Sequence, residues 1–102
     1  MTHSVYFWLK SDVTAEQRAL FEAELALLPQ IGYIKSGFIG KPAKTEARPV
    51  TDHSFDYSLI LEFKNMEDHE FYQSDCKDHQ RFVDTCKPFF GKVIVYDSEA
   101  LG

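Results

Sequence analysis

The nine residues Phe55 to Phe63 (FDYSLILEF) alternate, with Phe55, Tyr57, Leu59, Leu61 and Phe63 on one side of an extended chain and Asp56, Ser58 and Glu62 on the other. A period of two sustained this long is a strand with one strongly buried face. In a chain of 102 residues that face must be covered by the same small domain, since a second domain of ordinary size does not fit. The remaining elements are therefore read as the cover for this strand and its neighbours.

His3 to Lys10 (HSVYFWLK) is β-branched and aromatic and reads as a first strand. Thr14 and Gln17 have the form of a capping box, and Leu20, Phe21, Leu25 and Leu28 come after it at helical spacing. An amphipathic helix from about Ala15 to Leu28 is expected, ended by Pro29 and Gly32. Tyr33 to Ile39 reads as a second strand, and Pro42 to His53, with two prolines and no sustained period, as a long loop. Asn65 can cap a helix from Met66, broken near Asp75 to Asp78, that continues to about Phe89 before Gly91 stops it. Val93 to Tyr96 is the last strand, and Asp97 to Gly102 a short tail.

The order β-α-β-β-α-β predicts an α+β, ferredoxin-like split βαβ fold over residues 3–97, with a tail at 98–102. Its four-stranded antiparallel sheet carries both main helices on one face. The other face of such a sheet is polar in a monomer. Here Tyr6 and Trp8 oppose Val5, Phe7 and Leu9 in the first strand, Ile94 and Tyr96 oppose Val93 and Val95 in the last, and Ile60 interrupts the polar face of the third. Leaving several of these wet forgoes roughly 1.5–3 kcal/mol apiece. A homodimer with sheets packed face to face through Tyr6, Trp8 and Ile60 is expected.

A formal net charge of −5 argues against nucleic acid and anionic membranes as partners, since both reward Lys and Arg. No stretch has the roughly 18–20 apolar residues that cross a bilayer, and the N-terminus lacks a basic segment followed by an apolar run of signal-peptide length. Cys76 and Cys86 make neither a disulfide framework nor a zinc site, and read as reduced structural thiols of a cytoplasmic protein.

The opening His3-Ser4-Val5-Tyr6-Phe7-Trp8-Leu9-Lys10, the strand Phe55-Asp56-Tyr57-Ser58-Leu59, the pair Tyr72-Gln73 followed by His79 and Phe82, and the closing Val93-Ile94-Val95-Tyr96-Asp97 together resemble the stress-responsive α/β-barrel domain (Dabb) family. The likeness runs from His3 to Asp97 and implies a dimer of ferredoxin-like protomers, a dimeric α/β barrel. It implies little about activity, because most of the family has no known reaction. One plant branch, olivetolic acid cyclase, is a cofactor-free polyketide cyclase that uses a tyrosine and a histidine over a pocket between helices and sheet. The resemblance places His79 and Tyr72 at those two positions and His3 near the pocket. It also places Val5, Phe7, Phe21 and Phe82 in the pocket wall, to which Phe90 is added as a candidate.

Two departures bear on this. Five residues, Ser74 to Asp78, lie between Gln73 and His79, one more than the family pattern and without its proline. One inserted residue rotates the rest of a helix by about 100°. Glu24 stands where the cyclase has an aromatic pocket residue, so a pocket of different shape and charge is expected.

The residue types suit acid–base chemistry without a cofactor: a neutral imidazole takes a proton from carbon and a phenol holds the developing oxyanion. The alternatives are structural. His79 could cap a helix or bond a loop carbonyl, Tyr72 could be a buried aromatic, and His3 could bond the loop before the third strand. His53 and His69 read as solvated, and His3, His69 and His79 are not at paired ligand spacings, so no metal is expected. Two functions remain: a homodimeric module that binds a small apolar ligand or a partner, and a lyase or cyclase for a small apolar carbonyl compound, with His79 as base and Tyr72 as oxyanion donor. Fifteen aromatic residues leave little room for a large cavity.

Overall fold

The structure is a computed structural model that describes residues 1–102. Its elements are β1 (Thr2–Leu9), α1 (Ala15–Leu27), β2 (Ser36–Gly40), β3 (Tyr57–Glu62), α2 (Met66–Ser74), α3 (Lys77–Cys86) and β4 (Phe90–Ser98), with short 3-10 turns at Leu28–Gln30 and Lys87–Phe89. The strands form one sheet in the order β2-β3-β1-β4, every neighbouring pair antiparallel. This is the ferredoxin-like fold. No helix is long and apolar enough to cross a membrane.

Local signals account for the helices. The Thr14 hydroxyl accepts from the Gln17 backbone N–H at 3.1 Å while the Gln17 side chain accepts from the Thr14 N–H at 2.9 Å, which satisfies two donors that a helix start leaves free. From α1, Phe21, Leu25 and Leu28 enter the core, but Leu20, read as part of that stripe, is 42% exposed. The Asn65 side chain caps α2 by accepting from Asp68 N–H at 2.9 Å. The break after Ser74 is a tight one. The backbone N–H groups of Asp75 and Cys76 both donate to the Phe71 carbonyl, at 2.8 and 2.9 Å, and the Gln80 side chain donates to the Ser74 carbonyl at 3.0 Å. The two short helices are thereby held as a bent unit.

Three boundaries differ from the sequence reading. β2 begins at Ser36 rather than Tyr33, because Tyr33 leaves the strand to pack edge-on against Phe71 of α2, ring centroids 5.3 Å apart. Phe55 lies outside β3 and packs edge-on against Tyr6 and Trp8 at 5.0 and 6.5 Å, across the sheet from the side its alternation suggested. β4 extends from Phe90 to Ser98, so Gly91 is a strand residue and Asp97 belongs to the sheet, opposite His3, instead of to a tail.

The helix-side core joins Val5 and Phe7 of β1, Leu59 and Leu61 of β3, Phe21 and Leu25 of α1, Tyr72 of α2 and Phe82 and Cys86 of α3. Both cysteines are free and buried, and burial pushes the Cys86 thiol up to about 11. On the helix-free face the register puts Phe38, Ile60, Ser4 and Tyr96 in one row across all four strands, with Ser58, Tyr6 and Ile94 in the next. Phe38 and Tyr96 are each 60% exposed, an apolar surface larger than scattered surface residues produce.

Gly37 decides how closely the turn after α1 crosses β2. A Cβ there would stand 2.6 Å from Pro29 Cβ and 3.0 Å from Leu61 Cδ2, distances that require backbone of the turn to move. Gly37→Ala is therefore expected to cost about 1–3 kcal/mol. In urea the transition midpoint should fall with its slope unchanged, and an unshifted midpoint would remove this account of the β2 packing.

Candidate functional site

α2 and α3 cover β1 but only part of the edge strand β4, and a cavity of about 150 Å³ lies in the gap. Its wall contains His3, Val5 and Phe7 from β1, Leu59 from β3, Tyr72 and Gln73 from α2, His79, Phe82 and Val83 from α3, and Phe90, Val93 and Val95 from β4. Val93 and Val95 are 38% and 45% exposed and form its rim. A water occupies about 30 Å³ in the liquid, so the space exceeds that of one solvent molecule.

Of the residues singled out from sequence, His3, Tyr72, His79, Val5, Phe7, Phe82 and Phe90 all reach this wall. Phe21 does not. It is fully buried one layer behind, packed on Phe7, Phe82 and Phe90 at 5.3, 5.7 and 6.1 Å. Glu24 also stays out of the wall, because Arg81 of α3 holds its carboxylate at 2.9 Å and ties α1 to α3. The expected change in pocket charge at that position is absent for this reason.

The extra residue before His79 is taken up by the break between α2 and α3. Despite it, the Tyr72 and His79 rings lie against one another, centroids 4.2 Å apart and tilted by 40°. The capping alternative for His79 is not what the chain uses: no side chain caps α3. His79 Nδ1 is sealed from solvent without a hydrogen-bond partner. Burial, reinforced by repulsion from His3, holds the His79 imidazole below its ordinary value of 6.5 and so keeps it neutral. Burial likewise raises the Tyr72 phenol, which stays protonated as a donor.

His3 is 3% exposed, and its Nδ1 meets Asp97 Oδ1 at 2.5 Å, in place of the loop contact expected from sequence. An ionised carboxylate only accepts, so Nδ1 donates to it. Asp97 thus orients a pocket histidine. Sequence reasoning missed it because the residue was read past the end of its strand; the signal was the continued alternation Val93, Val95, Asp97.

His69 is the clearest reversal. Read as solvated, it is 9% exposed and packs among His3 and Phe63 at ring distances of 5.0 and 5.4 Å. Neither ring nitrogen has a hydrogen-bond partner; an unsatisfied buried polar group costs about 1–3 kcal/mol. Desolvation lowers its basicity first, with repulsion from His3 adding to this and Asp97 opposing it.

The sequence pattern described as Stress responsive A/B Barrel Domain matches residues 1–100. No curated protein matches the chain in sequence. Among solved structures, a Dabb family protein with a ferredoxin-like fold from Mesorhizobium loti is 22% identical with TM-score 0.76, over 99% of this chain and 96% of that one. The hydroxynitrile lyase of Passiflora edulis is 18% identical with TM-score 0.72, over 99% and 95%. A dimeric ferredoxin-like protein of unknown function from Thermobifida fusca is 19% identical with TM-score 0.73, over 93% and 85%. At these identities the likeness is one of fold.

Two buried imidazoles with lowered basicity make stability depend on pH. Below their ordinary value of 6.5 the unfolded chain takes up protons that the folded chain refuses, so stability is complete above that pH and declines as pH falls through it. The urea midpoint should be flat above about pH 7 and fall from about pH 6.5 downward. His79→Gln should flatten that fall, whereas parallel pH profiles for wild type and variant would contradict a buried neutral His79.

Proposed function

Because the chain belongs to the stress responsive A/B barrel domain family, we propose that it is a homodimeric, cytoplasmic module holding a small apolar carbonyl compound in the pocket of His3, Tyr72 and His79. The observation that carries this is the convergence of three polar groups on one largely apolar cavity, the usual composition of a ligand site. A cavity of about 150 Å³ lined by apolar side chains accepts a molecule the size of benzene, so the ligand class is a compact aryl or alkyl aldehyde or ketone. Its carbonyl accepts from the Tyr72 hydroxyl, and its apolar body lies against Val5, Phe7, Phe82 and Phe90.

The dimer forms through the helix-free face, with Tyr6, Trp8 and Ile60 joined by Phe38, Ile94 and Tyr96. In its support, that face is apolar across all four strands, and similar folds are described as dimeric. Two free buried thiols suit a reducing compartment.

One further observation favours turnover over binding alone: the neutral His79 imidazole and the Tyr72 phenol share the pocket wall. This supports a cofactor-independent lyase or cyclase. His79 Nε2 takes an acidic proton from carbon, the electron pair moves onto the carbonyl oxygen, and Tyr72 donates to the oxyanion that forms. In a cyclisation the enolate carbon adds to a second carbonyl of the same molecule, and the imidazolium returns its proton to the alkoxide that forms. His3, oriented by Asp97, supplies a further polar group at the wall. The described lyase activity of a protein with this fold is consistent with such chemistry.

The first test is exchange of the methyl protons of acetophenone in D₂O. Wild-type protein should accelerate it by about 10²-fold or more, and His79→Ala should abolish the acceleration while leaving stability near wild type. Binding of acetophenone without exchange would leave the binding module and remove the enzyme. For the dimer, Trp8→Arg places an unpaired charge in the interface and should shift light scattering at micromolar protein toward the monomer mass; an unchanged dimer would move the interface elsewhere.

A further inference from the structure

His3, His69 and Asp97 come from β1, α2 and β4, far apart in sequence, yet one ligand atom of each lies within 4.8 Å of the others. Asp97 Oδ1 stands between the two rings, 2.5 Å from His3 Nδ1 and 3.8 Å from His69 Nε2. Both histidines are buried, and neither nitrogen of His69 has a partner in the chain. A polar ring desolvated this far with nothing to bond is a ligand position in want of a ligand.

From this arrangement we infer that His3 Nδ1, His69 Nε2 and Asp97 bind a divalent transition-metal ion of the zinc type. Two imidazoles and one carboxylate are the donors such ions prefer, whereas Mg²⁺ and Ca²⁺ require shells built from oxygen. Bonds of about 2.0–2.2 Å at tetrahedral angles separate donor atoms by about 3.3 Å. The Asp97 carboxylate therefore has to withdraw slightly from His3 and close on His69. Its side chain is 42% exposed, which leaves it room for that rotation and leaves the ion a way in. Three protein donors keep a fourth position open for water or another small ligand.

The ion also changes what His3 offers. A metal on Nδ1 displaces the proton that Asp97 now accepts, and the neutral ring then carries its proton on Nε2. His3 then presents an Nε2–H donor at the pocket wall. This consequence rests on the acid–base reading of the pocket; the metal site itself does not.

The test is calorimetric titration of tag-free protein with Zn²⁺, together with the visible spectrum of the Co²⁺ form. One ion per chain with Kd of about 1 μM or tighter, and the intense d–d band of tetrahedral Co²⁺, are expected. His69→Phe keeps a ring in the same packing and Asp97→Asn keeps the shape of the carboxylate; each should weaken binding by more than about 100-fold, while His79→Ala should leave it unchanged. The site is overturned by absence of one-to-one binding at about 100 μM Zn²⁺, or by binding of wild-type strength in His69→Phe. Acetophenone exchange measured with and without Zn²⁺ reports the effect on the pocket separately, so loss of exchange chemistry and loss of the metal site remain distinguishable.

Discussion

A strand that is apolar on both faces has to be covered on both, and β1 sets this condition for the whole molecule. It lies between β3 and β4, pointing His3, Val5 and Phe7 toward the helices and Tyr6 and Trp8 away from them. The helix side is satisfied within the chain by Phe21, Tyr72 and Phe82. The other side is covered only in part, by Phe55 against Tyr6 and Trp8, and Phe38 and Tyr96 on its neighbours stay exposed. The same strand therefore generates both the core and the need for a second layer.

The pocket arises from unequal coverage of one sheet. The central strands β1 and β3 lie under helices, while both edge strands are less covered, and β4 carries Val93 and Val95 half in water. Polar groups collect at the β4 boundary because a buried face meets solvent there. His3, at the start of β1, and Asp97, toward the end of β4, are opposite one another in the antiparallel register. That register explains why an imidazole nearly closed off from solvent still has a carboxylate partner.

Burial also gives the histidines their character. An imidazole in an apolar wall loses the hydration that favours its charged form, so His79 remains neutral where an exposed histidine would be partly charged. His69 is subject to the same desolvation without any hydrogen bond in return. Repulsion from His3 adds to the desolvation of both His69 and His79 and favours their neutral state.

The sequence by itself determined the order of elements, the caps at Thr14 and Asn65, the buried face of β3, the two-faced character of β1 and the family likeness that brought His3, Tyr72 and His79 forward. These are legible because periodicity and capping are local, each set by residues within one or two turns of chain. Only the tertiary structure decided that a break at Asp75 and Cys76 absorbs the extra residue before His79, that Phe21 lies behind the pocket wall, that Glu24 is occupied by Arg81, and that Asp97 and the buried His69 meet at His3. Those facts depend on strand register and on how α2 is angled over the sheet. Groups separated by more than ninety residues meet through that packing, and no local pattern encodes the encounter.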